Sequence, residues 1–337
     1  MRKHFISKIK PTTIAVAAVY CLALILGPQM LSGYTYSVVN SALIYILCIY
    51  GAQILTGMGG QISFAYVTFM GLGAYFAADM LTGRLGGFTM SPVTVLILAP
   101  VVVGGFGFVF GYLLLRMEGT FFTFGTIGLV NVATIIMSNQ MSVFNGPNGI
   151  PAIPTMSVGS FRFTSNTSWF YFLMALAAIG YVIVERIRAT KFGRSLAYIA
   201  GSGTAAKCLG IDVYWTKIKA FVISSMFCGL AGALFSMQSQ FISPELFNFT
   251  QATSLVLMLM IGGLNNTIGA PIGALLIIAI PEVFRSLKNF LYFGYGIAII
   301  LLMIFFPTGI AGIGKQVSMT VRKSRKLAEQ RKEEANG

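Results

Sequence analysis

The chain has 337 residues, of which 56% are hydrophobic and 9% are charged, and its mean hydropathy is +0.81. Soluble domains carry roughly 25% charged residues, so this composition excludes a soluble globular protein and predicts an integral membrane protein. The net charge of +14 would suggest nucleic acid in a soluble chain. In a membrane protein, basic cytoplasmic loops explain it, so we expect contact with membrane lipid and no nucleic-acid partner. The scattered cysteines predict free thiols without a metal site.

The hydrophobic runs predict about ten transmembrane helices, because a span needs roughly 20 mostly apolar residues. The first run follows the basic tail 1–11 and resembles a signal peptide, but no convincing cleavage site follows it, so we expect it to remain as a span. The third run begins in glycines and the eighth is short, so broken or re-entrant helices near 57–64 and 262–270 are alternatives. The predicted limits are 12–29, 36–56, 61–81, 92–115, 120–138, 169–185, 218–240, 251–264, 269–285 and 290–306.

The distribution of basic residues predicts the orientation. Ten spans with the N-terminus inside place most basic residues in the cytoplasm. Both termini are then cytoplasmic, and one transmembrane domain, 12–314, lies between the basic tails 1–11 and 315–337. Two fewer spans between residues 241 and 289 would leave the C-terminal tail on the same side. The sequence thus predicts an all-α membrane protein with one long cytoplasmic loop, 186–217.

This long loop contains a candidate docking element. Its TAAKCLG stretch begins at Thr204 and ends at Gly210. Ser202 or Thr204 can cap a helix, the two alanines that follow favour helix and have little bulk, and Gly210 provides a stop. These features predict a short surface helix with a small-residue face that fits a groove of another protein. An ordinary loop helix has the same features.

The spans lack the groups that would power or catalyse a reaction. Charged side chains fall near the ends of the apolar runs, so no titratable group for ion coupling stands out. No metal-ligand spacing or paired carboxylates occur in a span. GIAGIGKQ, at 309–316, fits most of a phosphate-binding loop but ends in Gln and follows a membrane helix. We therefore expect neither an enzyme nor an ATP site in this chain, and an external source of energy.

Glycines at G-x-x-x-G spacing predict close helix packing. The spacing occurs at 107–111 and again at 269–273. Small residues at this spacing let helix backbones approach each other in lipid. We expect both to serve packing within the chain, with a dimerisation face as the alternative.

Several stretches resemble a known family. TAAKCLG resembles the E-A-A-x-x-x-G coupling motif of ABC importer permeases, with Thr204 in the place of the usual Glu. GQISFAYVTFMGLGAY, EGTFFTFGTIGL, FGRSLAYIAGSGTAAKCLG and MLMIGGLNNTIGAPIGALL resemble, in order and spacing, permease subunits of branched-chain amino acid ABC importers. The similarity covers about 43–312 and is greatest to the longer, second of the two paired permeases.

The resemblance implies a partner set and a role for the loop helix. The chain would form half of a pore with a second, homologous permease in the bacterial plasma (inner) membrane. Two ABC ATPase subunits would bind the ATP, so this chain needs no cofactor, and an extracytoplasmic binding protein would deliver the substrate. The coupling helix would contact an ATPase through Thr204, Ala205, Ala206, Lys207, Leu209 and Gly210.

The substrate and its contacts are less constrained by the sequence. Gln61 and Ser63 would begin a glycine-flanked helix whose N–H groups face a carboxylate, and Asn265 and Asn266 lie in a similar glycine-rich break. All four are candidate pathway residues, with capping or packing as the alternative. Branched-chain amino acids are the expected cargo, and urea, short amides or other amino acids are alternatives. A stand-alone channel or facilitator and a membrane-embedded enzyme are the competing classes.

Overall fold

The fold is known from a computed structural model, which describes residues 33–283 except 85, 86, 88, 118 and 160. The first and last predicted spans, 12–29 and 290–306, lie outside the described residues. So do the tails 1–11 and 315–337.

Helices make up almost all of the described chain. Short turns of helix occur at Met141–Phe144, Gly146–Asn148 and Pro244–Phe247, and a two-stranded antiparallel hairpin pairs β1 (Ser157–Val158) with β2 (Phe161–Arg162). The main helices are α1 (Gly33–Ala52), which continues as a π-helical turn (Gln53–Met58), α2 (Tyr66–Thr82), α3 (Pro92–Leu114), α4 (Thr120–Asn139), α5 (Asn166–Ala189), α6 (Lys191–Gly201), α7 (Gly203–Cys208), α8 (Val213–Ser239), α9 (Phe249–Gly262) and α10 (Gly269–Val283).

Five of these helices are long and apolar enough to cross a membrane. They are α1 with its π-helical turn, α3, α4, α5 and α8. The remaining apolar helices α2, α9 and α10 are shorter. The predicted class, an all-α membrane protein, is confirmed. The number of about ten spans and the cytoplasmic position of both termini stay predictions.

One predicted span starts later than the sequence pattern suggests, and one predicted break is present. The third was predicted from residue 61, but α2 begins at Tyr66, and the non-helical segment Gly59–Ala65 precedes it. Gly60 has φ +67°, a left-handed conformation that favours glycine. The predicted break near 262–270 is present as the turn between α9 and α10. Residues Gln61 and Ser63 therefore do not begin a helix, and the expectation of helix N–H groups at these positions is wrong.

Small residues hold the centre of the bundle together. α8 packs against α1, α2 and α3, and a Cβ atom on Gly232 would overlap the backbone oxygen of Met70 in α2. A Cβ on Gly107 would overlap Ser225 of α8, and one on Gly269 would overlap Gly262 of α9. Both G-x-x-x-G stretches therefore pack within the chain, as predicted.

Candidate coupling surface and pathway wall

The long loop folds as two capped helices, α6 and α7, at one end of the bundle. We call this end the basic face, because the two helices carry Lys191, Arg194 and Lys207. The Thr190 hydroxyl caps α6 by accepting from the Gly193 amide at 3.3 Å, and the Ser202 hydroxyl caps α7 by accepting from the Ala205 amide at 3.3 Å. Such caps satisfy amide groups that a helix start leaves unpaired. One residue, Ser202, separates the two helices, so they are closely linked.

The end of α7 is a Schellman motif. Gly210 has φ +75°, and its amide donates to the Lys207 carbonyl at 2.9 Å, while the Ile211 amide donates to the Ala206 carbonyl at 3.1 Å. This pair of bonds needs a left-handed residue, for which glycine costs least. The predicted short helix with a glycine stop is thus present, and its role in coupling stays a prediction.

The predicted coupling residues do not all point the same way. Ala206 is 0% exposed, so it packs inside the subunit and not on a free surface. Leu209 is 67% exposed, so its apolar side chain is free of contacts that would bury it within the subunit. The other predicted coupling residues, Thr204, Ala205, Lys207, Leu209 and Gly210, are exposed.

The start of α8 is tied to the turn between α3 and α4. The Tyr214 hydroxyl donates to the Tyr112 carbonyl at 2.7 Å, and the Arg116 guanidinium lies 4.6 Å from the centre of the Tyr112 ring. Hydrogen bonds with Tyr214 and Tyr112 raise the pKa of Arg116. These contacts tie the first turn of α8 to the last turn of α3 and to Arg116, which follows it.

The candidate pathway residues Gln61 and Ser63 are buried within the subunit. Gln61 Oε1 accepts from the Lys217 ammonium at 3.0 Å, and its carbonyl accepts from the Thr56 hydroxyl at 2.8 Å. The Ser63 hydroxyl accepts from the Ala65 amide at 3.2 Å. Both side chains therefore stabilise the Gly59–Ala65 segment in this conformation.

Asn265 and Asn266 lie in the turn between α9 and α10. Asn265 is exposed, whereas Asn266 is partly buried. The Asn266 side chain accepts from the Ile268 amide at 3.2 Å, and its carbonyl accepts from Gln53 Nε2 at 2.8 Å. Asn266 thus fastens the turn to the π-helical turn of α1, and Asn265 is the one of the pair whose side chain is available at the surface.

Helix α4 forms an exposed wall of the subunit. Its contacts with neighbouring segments include a bond from the Phe64 amide to the Thr126 hydroxyl at 3.1 Å and one from the Thr134 hydroxyl to the Phe247 carbonyl at 3.1 Å. On its outer side Asn131 is exposed near the middle of the span, and Thr120 is exposed at its start. These two residues are eleven apart, about three turns, so they share one face. The Asn131 amide nitrogen donates to the Ile127 carbonyl at 3.1 Å, and the exposed remainder of this amide would be costly in lipid.

Comparison with known proteins agrees with this architecture. Residues 34–306 match the family described as "Branched-chain amino acid transport system / permease component". The chain belongs to that permease family. Over 84% of this chain and 71% of the relative, it is 27% identical to the high-affinity branched-chain amino acid transport system permease protein LivM of Salmonella typhimurium.

The other relatives include one with the same named role and one with a different role. The permease is 23% identical to the probable branched-chain amino acid transport permease protein LivM of Methanocaldococcus jannaschii, over 72% of this chain and 69% of that one. It is 26% identical to the autoinducer 2 import system permease protein LsrC of Salmonella typhi, over 81% of this chain and 78% of that one. No solved structure matches it significantly. The chain is therefore a multi-pass membrane permease component of an ABC-type importer.

Two features of this permease were missed by sequence reasoning. Asn131 is a lone amide inside the apolar run 120–138, a pattern that by itself marks an intramembrane polar site. Glu185 accepts from the Thr267 hydroxyl at 2.6 Å and pairs with Arg188 at 2.7 Å, so it joins α5 to the turn between α9 and α10. The sequence separation of 82 residues between Glu185 and Thr267 leaves no local pattern that predicts this contact.

Proposed function

We propose that this permease forms half of the translocation pathway of an ATP-driven importer for branched-chain or other small amino acids. The observation that carries the proposal is the exposure of Asn131 at mid-depth on α4. An amide at this depth is stable when it faces a water-filled pathway or a partner subunit and not lipid. A second permease facing α4 would provide the partner subunit and also the water-filled pathway, because the pathway would run between the two subunits.

The energy would enter through α7. An ATPase that seats the exposed Leu209 in a surface groove would carry α7 with it when the two ATPases close on ATP. The chain then passes through Gly210 into α8, whose start is capped by the Asp212 side chain accepting from the Trp215 amide at 3.1 Å. Because α8 lies at the centre of the bundle, its movement shifts the subunit as a body and supports alternating access.

The cargo is proposed from the relatives and from the partners they imply. The LivM proteins carry branched-chain amino acid transport in their names, and LsrC carries autoinducer 2 import. An extracytoplasmic binding protein would choose among cargo molecules before they reach this subunit. Branched-chain amino acids are the first choice, and urea, short amides and autoinducer 2 are the alternatives that an uptake panel separates.

The test is reconstitution with defined partners. The chain is co-expressed with candidate partners from the same genome, namely two ABC ATPases, a similar permease and an extracytoplasmic binding protein, and the purified complex is placed in liposomes. We expect ATP-dependent uptake of leucine, isoleucine or valine, with little uptake of urea. Uptake by the chain alone without ATPases would establish a facilitator instead, and failure of the five components to co-purify would contradict the assembly.

A further inference from the structure

The non-helical segment Gly59–Ala65 places one apolar side chain beside the α4 wall. Ile62 is 41% exposed, while its neighbours Gln61 and Ser63 are buried. The Thr123 hydroxyl of α4 donates to the Ile62 carbonyl at 3.1 Å. Thr123 lies one turn from the start of α4, at the basic face. Ile62 therefore lies at the basic-face end of the wall that carries Asn131.

Two kinds of hydrogen bond hold this segment. The amides of Gly59, Gly60 and Gln61 donate to the carbonyls of Leu55 and Thr56 in the π-helical turn at 3.1–3.4 Å. The backbone of the segment also bonds to the side chains of threonines from two helices, including Thr56 to the Gln61 carbonyl at 2.8 Å and the Phe64 amide to Thr126 at 3.1 Å. Non-helical backbone at membrane depth is stable when it is buried in protein or lines a cavity. From Ile62 to Phe64 the segment is attached to α4 through threonine hydroxyls, which can rotate to new partners. This part can therefore shift while the neighbouring helices keep their own backbone bonds.

Helix α6 packs directly against the same segment. A Cβ atom on Gly59 would lie 3.4 Å from Leu196 Cδ2, and one on Gly60 would lie 3.0 Å from Ala200 Cβ. From α8, the Lys217 ammonium donates to Gln61 Oε1 at 3.0 Å. Since α6 is joined to α7 by the single residue Ser202, a displacement of α7 is passed to α6 and then to this segment.

We infer that Gly59–Ala65 is the gate at the basic-face end of this subunit's pathway, that Ile62 is the closing side chain, and that Ala200 and Lys217 are its positioning residues. This inference rests on the proposed function, because it assumes that the α4 wall lines the pathway. Movement of α6 would carry Ile62 away from Thr123 and open the exit, and its return would close it. Because Ala200 is exposed on α6, a larger side chain there changes the gate without filling the core.

The test measures the gate separately from transport. Cys208, an exposed free thiol, is replaced by Ser, and Ile62→Cys is labelled with a membrane-impermeant maleimide in inside-out vesicles that contain the whole importer. We expect Ala200→Phe to change the labelling rate by about five-fold or more, within the range for positions that modulate coupling. It should lower uptake by a similar factor or more, while ATP hydrolysis continues. Ala197→Phe, another exposed alanine on α6, is the matched control and should change neither.

A second variant removes the polar contact. Lys217→Met keeps most of the side-chain length but loses the bond to Gln61, and we expect faster labelling of Ile62→Cys that Lys217→Arg partly reverses.

If wild-type uptake depends on ATP and neither Ala200→Phe nor Lys217→Met changes labelling, the gate is wrong and the proposed function stands. If labelling responds but uptake never depends on ATP, the proposed function fails and the control of this segment by α6 stands. Equal effects of Ala197→Phe and Ala200→Phe would overturn the specific role of Ala200.

Discussion

Helices α8 and α4 have nearly the same mean hydropathy but opposite surroundings. In the most apolar stretch of α8, 72% of residues are buried within the subunit, against 22% for α4. α8 carries glycines, such as Gly229 and Gly232, that neighbouring backbones and side chains touch, whereas α4 is attached partly through threonine hydroxyls. Mean hydropathy identifies both helices as membrane spans. The difference lies in their small and polar residues, since glycines allow α8 to pack at the centre, whereas α4 is attached to one side through hydroxyl groups.

We expect the largest effect from adding a single methyl group to α8. In Gly232→Ala the new Cβ would overlap the Met70 carbonyl oxygen and lie 2.8 Å from the Ala74 amide nitrogen. Because backbone atoms cannot rotate away, the loss in free energy of unfolding should exceed the ~1–3 kcal/mol that ordinary overpacking costs. We expect the folded protein to disappear from the membrane fraction on an immunoblot. Gly128→Ala on α4, where a Cβ would meet nothing within 4 Å, should accumulate normally, and equal loss of both variants would contradict the contrast.

A change at the end of α7, just before α8, should strongly reduce transport without unfolding the protein. Leu209→Asp puts a charge on an exposed side chain, so we expect normal amounts of protein and uptake reduced roughly 10- to 30-fold, as for an interface contact worth about 2 kcal/mol. Uptake and co-purification of the ATPases are measured in parallel. Leu209→Met is the control and should transport well. Wild-type uptake by the Asp variant would remove α7 from the coupling surface.

The exposed face of α4 is tested at Asn131. Because the side chain is exposed, Asn131→Leu leaves packing intact, and the protein should be as abundant as the wild type. We expect uptake to fall about ten-fold, since a polar contact to cargo or to pathway water is lost. Val132→Leu, on the adjacent exposed position, should keep full uptake. Unchanged uptake in Asn131→Leu would show that this face does not line the pathway.

The smallest effect concerns the attachment of α4. Thr134→Val removes a hydroxyl whose single proton is shared between the Val130 carbonyl at 2.9 Å and the Phe247 carbonyl at 3.1 Å. The loss should lower the free energy of unfolding by about 0.5–1.5 kcal/mol. A thermal-unfolding scan of the purified complex should show a lower Tm for Thr134→Val. Thr134→Ser keeps the hydroxyl and should unfold closer to the wild type. A Tm unchanged in both variants would mean that this bond does not hold α4 in place.

The apolar runs predicted the position of most described helices to within a few residues. Pro92–Leu114 and Thr120–Asn139 follow the predicted 92–115 and 120–138 closely. The short helix before Gly210 was predictable because capping and left-handed glycine are local effects. Helix limits and caps depend on residues that are neighbours in sequence, so the amino-acid sequence alone is enough to predict them.

The candidate site was harder to predict because burial depends on distant contacts. Ala206, Gln61 and Ser63 all looked available from sequence, yet each is buried. Ala206 packs into the subunit, and Gln61 is held by Lys217, which lies 156 residues away. Asn131 was overlooked because a single amide hardly changes the hydropathy of its run.

The sequence by itself determined the membrane class, the family, most helix limits and the short capped helix at the basic face. These follow from transfer of apolar residues to lipid and from hydrogen bonds within a few residues. Only the tertiary structure decided that α8 is central, that α4 is a wall, and that Gly59–Ala65 is non-helical between them. Lipid and protein interior are both apolar, so hydropathy cannot separate them, and close packing and side-chain hydrogen bonds make that choice.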